Sequence, residues 1–324
     1  MNNKVRMFSI FMVTLFVSLN GVQLGEGAPY PEKPITVICP FAAGASYDMT
    51  SRAIATAVTK SIGQPVIVMN KVGGGTFVAN AEAYNASPDG YTLIINASSS
   101  LCLSPHLRKA PFDPWKLTPI MSYGIYPVIV AVRADSPFKT FKDMVDFIKK
   151  KPGELKIATS GGPDVMENLP MYMLQSQEKL DFKFVPYEGG APAAAAVLGG
   201  HVPAMVGGGG AIVHITDGKM RGLVAFTSRK LAGLPEIPTG KESGYDIVVE
   251  SRYALYGPPG MSKDIVKKLE ETFKKAMDDV DFKKVGESFK VTLDFKNSEE
   301  IDKYHRDLST KIRKILVEIG RIKE

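Results

Sequence analysis

Short apolar runs alternate with longer amphipathic stretches along this chain. Ile35–Cys39, Val66–Asn70 and Thr92–Asn96 are five-residue runs of mostly apolar and β-branched residues, and they predict strands. Residues 48–61 and 77–85 between them predict helices. Gly63-Gln64-Pro65 ends the first helix, and Ser87-Pro88-Asp89-Gly90 is a strong turn after the second. The pattern changes near residues 119–127 and then resumes. Residues 128–132 predict a strand. Residues 140–150 predict a helix with Phe141, Met144, Val145 and Ile148 on one face, stopped by Pro152-Gly153. Further strands are predicted at 156–159, 182–186, 204–206 and 223–226, with a short helix at 192–198. An apolar-aromatic strand at 251–256 ends at Gly257-Pro258-Pro259-Gly260. Helices at 263–278, 281–288 and 298–319 follow. Ser262 and Ser298 read as N-caps, and Ile301 three residues after Ser298 leaves no capping box there. The last helix carries Ile301, Tyr304, Leu308, Ile312, Ile315 and Ile319 on one stripe, the mark of a core-facing helix.

Strands separated by helices imply βαβ units and an α/β fold with mainly parallel sheets. A chain of 324 residues, 44% of them apolar, exceeds one comfortable core, so two lobes are expected. The N-terminus has Lys4 and Arg6, an apolar run from Met7 to Leu19, and Gly25 and Gly27 before Ala28. This reads as a secretory signal peptide, residues 1–27, cleaved on export. The alternative is a membrane anchor, which the run is short for. The net charge of +6 suits a small acidic ligand and does not call for nucleic acid. Cys39 and Cys102 each sit beside an apolar strand and read as small buried thiols, although an exported protein could pair them.

The candidate chemistry begins at residues 40–52, PFAAGASYDMTSR. A strand passes through small residues into a helix, whose first N–H groups lack internal partners and carry the positive end of the helix dipole. Such a loop seats an anion such as a carboxylate without a lysine. Catalytic signals are thin. The four histidines (His106, His201, His214 and His305) have no ligand spacing, and no HExxH, CxxC pair or GxSxG occurs. Gly207–Gly210 lacks the lysine of a phosphate loop. The expectation is a binding protein with no catalytic residue, no metal and no cofactor.

Several ordered segments carry a resemblance. They are Tyr30–Ile35 (YPEKPI), the PFAAGASYDMTSR loop, Ile62–Thr76 (IGQPVIVMNKVGGGT), Ser87–Ile94 (SPDGYTLI), Pro111–Ile120 (PFDPWKLTPI), Val185–Val202 (VPYEGGAPAAAAVLGGHV), Leu234–Asp246 (LPEIPTGKESGYD) and Tyr256–Ser262 (YGPPGMS). Together the chain resembles the substrate-binding proteins of tripartite tricarboxylate transporters, the TctC or Bug family. The resemblance implies a two-lobe periplasmic binding protein, of the type II flytrap kind, with a cleft between the lobes. Residues 28–125 and 253–324 would form lobe 1 and residues 126–252 lobe 2. It implies a small organic acid as ligand, membrane transporter subunits as partners, a monomer, and a periplasmic location. By the same resemblance, ligand contacts fall on Phe41, Ala42, Gly44, Ala45, Ser46 and Asp48 of one loop, and on Ser160, Gly161, Gly162, Asp164 and Glu167 of a second. Ser98 and Ser99 belong to a third loop, and Tyr187 and Gly207-Gly208 complete the expected site.

The chain also departs from the family pattern. Ala45 stands where paired glycines are usual, and Pro163, Asp164 and Glu167 bring rigidity and negative charge to the second loop. Four consecutive glycines, Gly207–Gly210, read as leaving space for a bulkier or aromatic acid, and Asp164 or Glu167 as suiting an amino or hydroxyl group. Two alternatives stay open: an extracytoplasmic sensor of the same fold feeding a signalling receptor, and a secreted α/β enzyme.

Overall fold

The computed structural model describes residues 30–161 and 165–323. The expected signal peptide and Gly162, Pro163 and Asp164 lie outside the described residues. In chain order the elements are β1 (Ile35–Cys39), α1 (Ser46–Ile62), β2 (Val66–Asn70), α2 (Phe77–Tyr84), β3 (Thr92–Asn96), α3 (Ser98–Cys102), α4 (Ser104–Leu107) and β4 (Thr118–Tyr126). Next come β5 (Ile129–Arg133), α5 (Phe141–Lys150), β6 (Lys156–Thr159), α6 (Leu169–Glu178), β7 (Lys183–Pro186), α7 (Gly190–Leu198), β8 (Ala204–Gly207), α8 (Gly209–Thr216) and β9 (Met220–Ala225). The chain ends with β10 (Ser251–Gly257), α9 (Lys263–Ala276), α10 (Val280–Ser288), β11 (Thr292–Lys296) and α11 (Ser298–Glu318).

Two sheets form the two lobes of the fold. The first has the order β11-β4-β10-β3-β1-β2 and the second β7-β6-β8-β5-β9. Parallel pairing, expected from the βαβ alternation, holds for β1 with β2 and β3, and for β6 with β7 and β8. The remaining pairs are antiparallel, because β10, β11 and β5 run against these strands. Strand β4 stays in the first sheet up to Tyr126 and β5 enters the second at Ile129. The return runs from Ala225 in β9 to Ser251 in β10.

Both faces of β1 and β3 are covered, which explains why these strands read as unbroken apolar runs, whereas Ile67 and Met69 on the edge strand β2 are exposed. Ile35, Val37 and Cys39 pack toward α1, α9 and α10, whereas Ile38 and Ile94 pack on the opposite side. Helix α11 lies on that opposite side, with Ile301, Leu308, Ile312 and Ile315 buried as its stripe requires. It continues to α6 of the second lobe, where Glu318 accepts from the Ser176 hydroxyl and Arg321 donates to the Tyr172 hydroxyl. Its N-cap is Asn297, one residue earlier than expected. Glu300 then falls at the third helical position and completes a capping box, whereas numbering from Ser298 placed Ile301 there. The sequence reading also passed over α3, α4, β4, α8 and β11, and gave no bounds for α6, the helix after the Ser160 loop. Cys39 and Cys102 are free and buried, and burial pushes the Cys39 thiol up to about 11. No helix among the described residues is long and apolar enough to cross a membrane.

Candidate functional site

The carboxyl ends of the parallel strands form one edge of each sheet, and this is where open α/β sheets bind ligands. Six helices start from this edge: α1, α2 and α3 after β1, β2 and β3, and α6, α7 and α8 after β6, β7 and β8. None of the six has a side-chain N-cap hydrogen bond. The four helices α5, α9, α10 and α11 are all capped, by Thr140, Ser262, Asp279 and Asn297. A missing cap costs about 1 kcal/mol per helix. Its systematic absence at one edge leaves these helix starts without a capping side chain from their own N-cap residue.

Helix α1 is the longest of the six. Among the described residues nothing accepts from the N–H groups of Ser46, Tyr47 or Asp48. The preceding loop is held from below by Asp48. Its carboxylate is 1% exposed and accepts from the Gly44 N–H at 2.9 Å, the Asn70 amide at 2.8 Å and the Arg52 guanidinium at 2.9 Å. Burial alone would raise its pKa, but these donors outweigh burial and hold it below the usual aspartate value. Gly44 has φ of +82°, a conformation that only glycine adopts without strain. The loop therefore presents Ala42, Ala43 and Gly44 to solvent with its charge tucked beneath.

Aromatic rings continue from this loop into the floor between the lobes. Tyr47 stacks between Phe41 (4.3 Å between centroids) and Tyr253 (4.1 Å), and Tyr126 lies 6.1 Å from Tyr47. Tyr126 ends β4 and Tyr253 sits on β10, the strands that lead to and from the second lobe. The Tyr253 hydroxyl donates to the Ser46 hydroxyl at 3.1 Å. On the other side, the Gly209 N–H at the start of α8 donates to the Tyr126 hydroxyl at 2.9 Å.

Glu167 approaches from the second lobe, in a single 3-10 turn before α6. Its carboxyl is half-buried. Burial raises it above the usual glutamate value, against the pull of its own N–H and of Ser160. It lies close enough to Tyr47 and Tyr126 for its charge to help keep both phenols protonated, although burial is the larger cause for each. The charge of the second lobe's loop thus reaches the rings beside the first lobe's loop. Thr159, at the end of β6, has a buried hydroxyl with no partner among the described residues.

The expected site residues separate into groups. Phe41, Ala42, Gly44, Ala45 and Ser46 lie between β1 and the first turn of α1, and Ser160, Gly161 and Glu167 lie between β6 and α6. Ser99 is half-buried at the start of α3. Tyr187 is half-buried and packs on the core formed by α7 and α8. Three expectations are corrected. Ser98 is fully buried; its hydroxyl meets His305 Nε2 at 2.8 Å and accepts from the Arg252 N–H at 2.9 Å, so it is not free for a ligand. Asp48 serves the loop rather than the ligand, because its oxygens are engaged beneath the surface. Gly207 and Gly208 are buried, and the glycine run does not leave open space. A Cβ on Gly208 would come within 2.5 Å of the Tyr126 ring and the Pro127 carbonyl oxygen, and one on Gly210 would collide with the Gly190 backbone.

Sequence reasoning missed Tyr47, Tyr126 and Tyr253. The available signal was an aromatic at each point where the chain changes lobe. It also missed the buried ionic group behind the site. Arg252 is 0% exposed; its guanidinium meets Ser122 Oγ, Glu250 and Asp294, and Asp294 also pairs with Arg229 from the segment after β9.

Two sheets joined by crossing strands, with uncapped helix starts converging on the space between them, define a two-lobe solute-binding protein. The model of the tripartite tricarboxylate transporter family receptor, TctC, matches residues 50–321, and the chain belongs to this family. It is 33% identical over 297 residues to the UPF0065 protein in the gbd 5' region of Cupriavidus necator, covering 91% of this chain and 90% of the relative. A TctC solute-binding protein from Polaromonas, solved without ligand, superposes with a TM-score of 0.80 at 24% identity, covering 90% of this chain and 100% of that one. MatC from Rhodopseudomonas palustris, solved with bound malate, gives a TM-score of 0.72 at 24% identity over 89% of this chain and 100% of that one.

Proposed function

We propose that this chain is a periplasmic solute-binding protein that captures a small organic carboxylate and delivers it to a tripartite tricarboxylate-type membrane transporter. The observation that carries this reading is the uncapped start of α1 in the cleft. Three N–H groups with no acceptor among the described residues, the positive end of a 17-residue helix and a loop of small residues suit a carboxylate. Family membership supports the transporter, malate in MatC supports the ligand class, and the N-terminal signal pattern supports export. Binding proceeds without a covalent step. A ligand held by donors from both lobes stabilises the closed arrangement over the open one, and so shifts the population toward the form presented to the membrane subunits. The protein acts as a monomer.

One substitution tests the amide seat directly. Proline is tolerated at the first position of a helix, and Ala45 already has the extended backbone (φ −69°, ψ 159°) that a following proline requires. Ser46→Pro therefore deletes one N–H donor and keeps the helix, and Ser46→Ala controls for the hydroxyl. By titration calorimetry against a panel of carboxylates, Ser46→Pro is expected to weaken binding about tenfold relative to Ser46→Ala, the value of one hydrogen bond to a charged group. Equal affinity in the two variants, or no carboxylate bound by the unsubstituted protein, refutes the reading.

A further inference from the structure

The lobes are joined by chain between β4 and β5 and between β9 and β10, and by packing at a third place, where α11 meets α6. Helix α11 has 21 residues, a length of about 31 Å, enough to reach from one lobe to the other. Its first half belongs to the first lobe, where Ile301 is buried and His305 meets Ser98 and Tyr256. Its second half shares a core with the second lobe. Ile312, Ile315 and Leu316 lie in one apolar cluster with Met171 and Leu174 of α6. Helix α6 begins at Leu169, directly after the loop that follows β6, so the joint with α11 backs onto that loop.

Apolar contact holds two helices together but has no direction of its own. This joint also has space beside it. A hollow of about 520 Å³ on one side is lined by Tyr172, Gln175 and Arg321, and one of about 360 Å³ on the other by Met173, Gln177 and Lys314. A ridge with room on both flanks can slide, as packed helices do in shear motions. Two polar contacts at the end of α11 oppose sliding. Glu318 accepts from the Ser176 hydroxyl at 3.1 Å. Gly320, with φ of +70°, then turns the chain back, and the N–H groups of Arg321 and Ile322 return to the Leu316 carbonyl oxygen at 2.8 and 3.3 Å. The turn carries the Arg321 guanidinium over the Tyr172 ring, 6.0 Å from its centroid, where it donates to the hydroxyl at 3.3 Å. Tyr172 is 7% exposed and meets Phe184 of β7 edge-on, with centroids 5.1 Å apart. Arg321 therefore grips a ring that is itself fixed in the second lobe's core.

We propose that residues 318–322 form a hook that fixes the register of α6 on α11 and so sets the resting angle between the lobes of the empty protein. The apolar ridge supplies adhesion and the hook supplies position. Without the hook the ridge stays in contact, but α6 slides along it and takes the loop after β6 with it. The hook acts in the absence of any solute, so its test needs none.

Arg321→Ala removes the grip on the ring, Tyr172→Phe removes only the hydroxyl, and a chain lacking residues 320–324 removes the turn. Amide hydrogen exchange and small-angle scattering are read on each, without ligand. In Arg321→Ala the amides of residues 166–173 are expected to exchange about two- to fivefold faster, the scale of an exposed cation–π contact, while those of β6 and β8 keep their rates. Tyr172→Phe is expected to act in the same place by a smaller factor. The shortened chain is expected to show a larger radius of gyration than the unsubstituted protein. The inference is overturned if exchange at 166–173 does not change in Arg321→Ala, if it rises equally across β6 and β8, or if the shortened chain keeps its radius of gyration. Arg321 is exposed, so its alanine variant decides through exchange should the shortened chain not fold.

Discussion

Asp48 shows how one residue can serve a binding loop without touching what is bound. Its three donors come from the loop itself (Gly44), the next strand (Asn70) and its own helix (Arg52). Its folded pKa lies below the unfolded value, so its contribution to stability is fully present above the ordinary aspartate pKa and is lost as pH falls through the folded value. Asp48→Asn is expected to destabilise the protein by about 1.5–3 kcal/mol at neutral pH, the range for hydrogen bonds to a charged group. The gap between the two melting curves should close as the pH is lowered through about 4 and below. A gap independent of pH would show that the charge is not what holds the loop. His305 follows similar logic. Burial first, with Arg252 adding to it, pulls its pKa down to about 3, so the ring stays neutral between Ser98 and Tyr256 at any physiological pH. The acid at position 48 was visible in the sequence, but its orientation was not. A first-turn aspartate can face the ligand or the neighbouring strand, and Asn70 lies 22 residues further on.

At the scale of elements, the regular parts were legible where local signals suffice. Strand β1 and helix α5 have clean periods, and Thr140 caps α5 as its hydrogen bonds require. The elements passed over are those whose signal lies elsewhere in the fold. Strand β4 contains a proline and a glycine, yet it pairs with β10 and β11 over much of its length. Helix α8 starts inside a glycine run that reads as a loop by composition. Those glycines are needed for close approach, and this gives an expected outcome. Gly208→Ala should cost about 1–3 kcal/mol, because the added methyl meets a ring and a fixed carbonyl that cannot both withdraw. Gly209→Ala, whose methyl meets only the Tyr126 hydroxyl at 3.5 Å, should be near neutral. Thermal melts of the two variants check the contrast, and equal melting temperatures would mean that the run is simply a loose connection.

At the scale of the whole molecule, the segment joining β9 to β10 carries an ion pair between lobes. Arg229 follows a strand of the second sheet and pairs with Asp294 on β11 of the first, which also holds buried Arg252. A cleft that opens by moving these sheets apart breaks this pair. Arg229 is about half exposed, so the pair is worth at most about 1 kcal/mol. Arg229→Ala is expected to shift the empty protein toward the open form and to weaken ligand binding about two- to fivefold. Small-angle scattering reads the first effect as a larger radius of gyration without ligand, and calorimetry reads the second. No change in either would assign the pair to surface solvation only. The two-lobe plan could be expected from length and from the βαβ alternation, whereas this pair could not. Its partners are 65 residues apart, and no local pattern links them.

The division between capped and bare helix starts has a further consequence for the empty protein. Donors that no side chain satisfies are met by solvent, so the unoccupied crevice must hold a set of oriented waters against its amides. An arriving solute displaces that shell instead of filling a dry void. Selectivity then depends on how well each candidate reproduces the hydration pattern it evicts, and weakly bound compounds will be those that leave some of those waters behind.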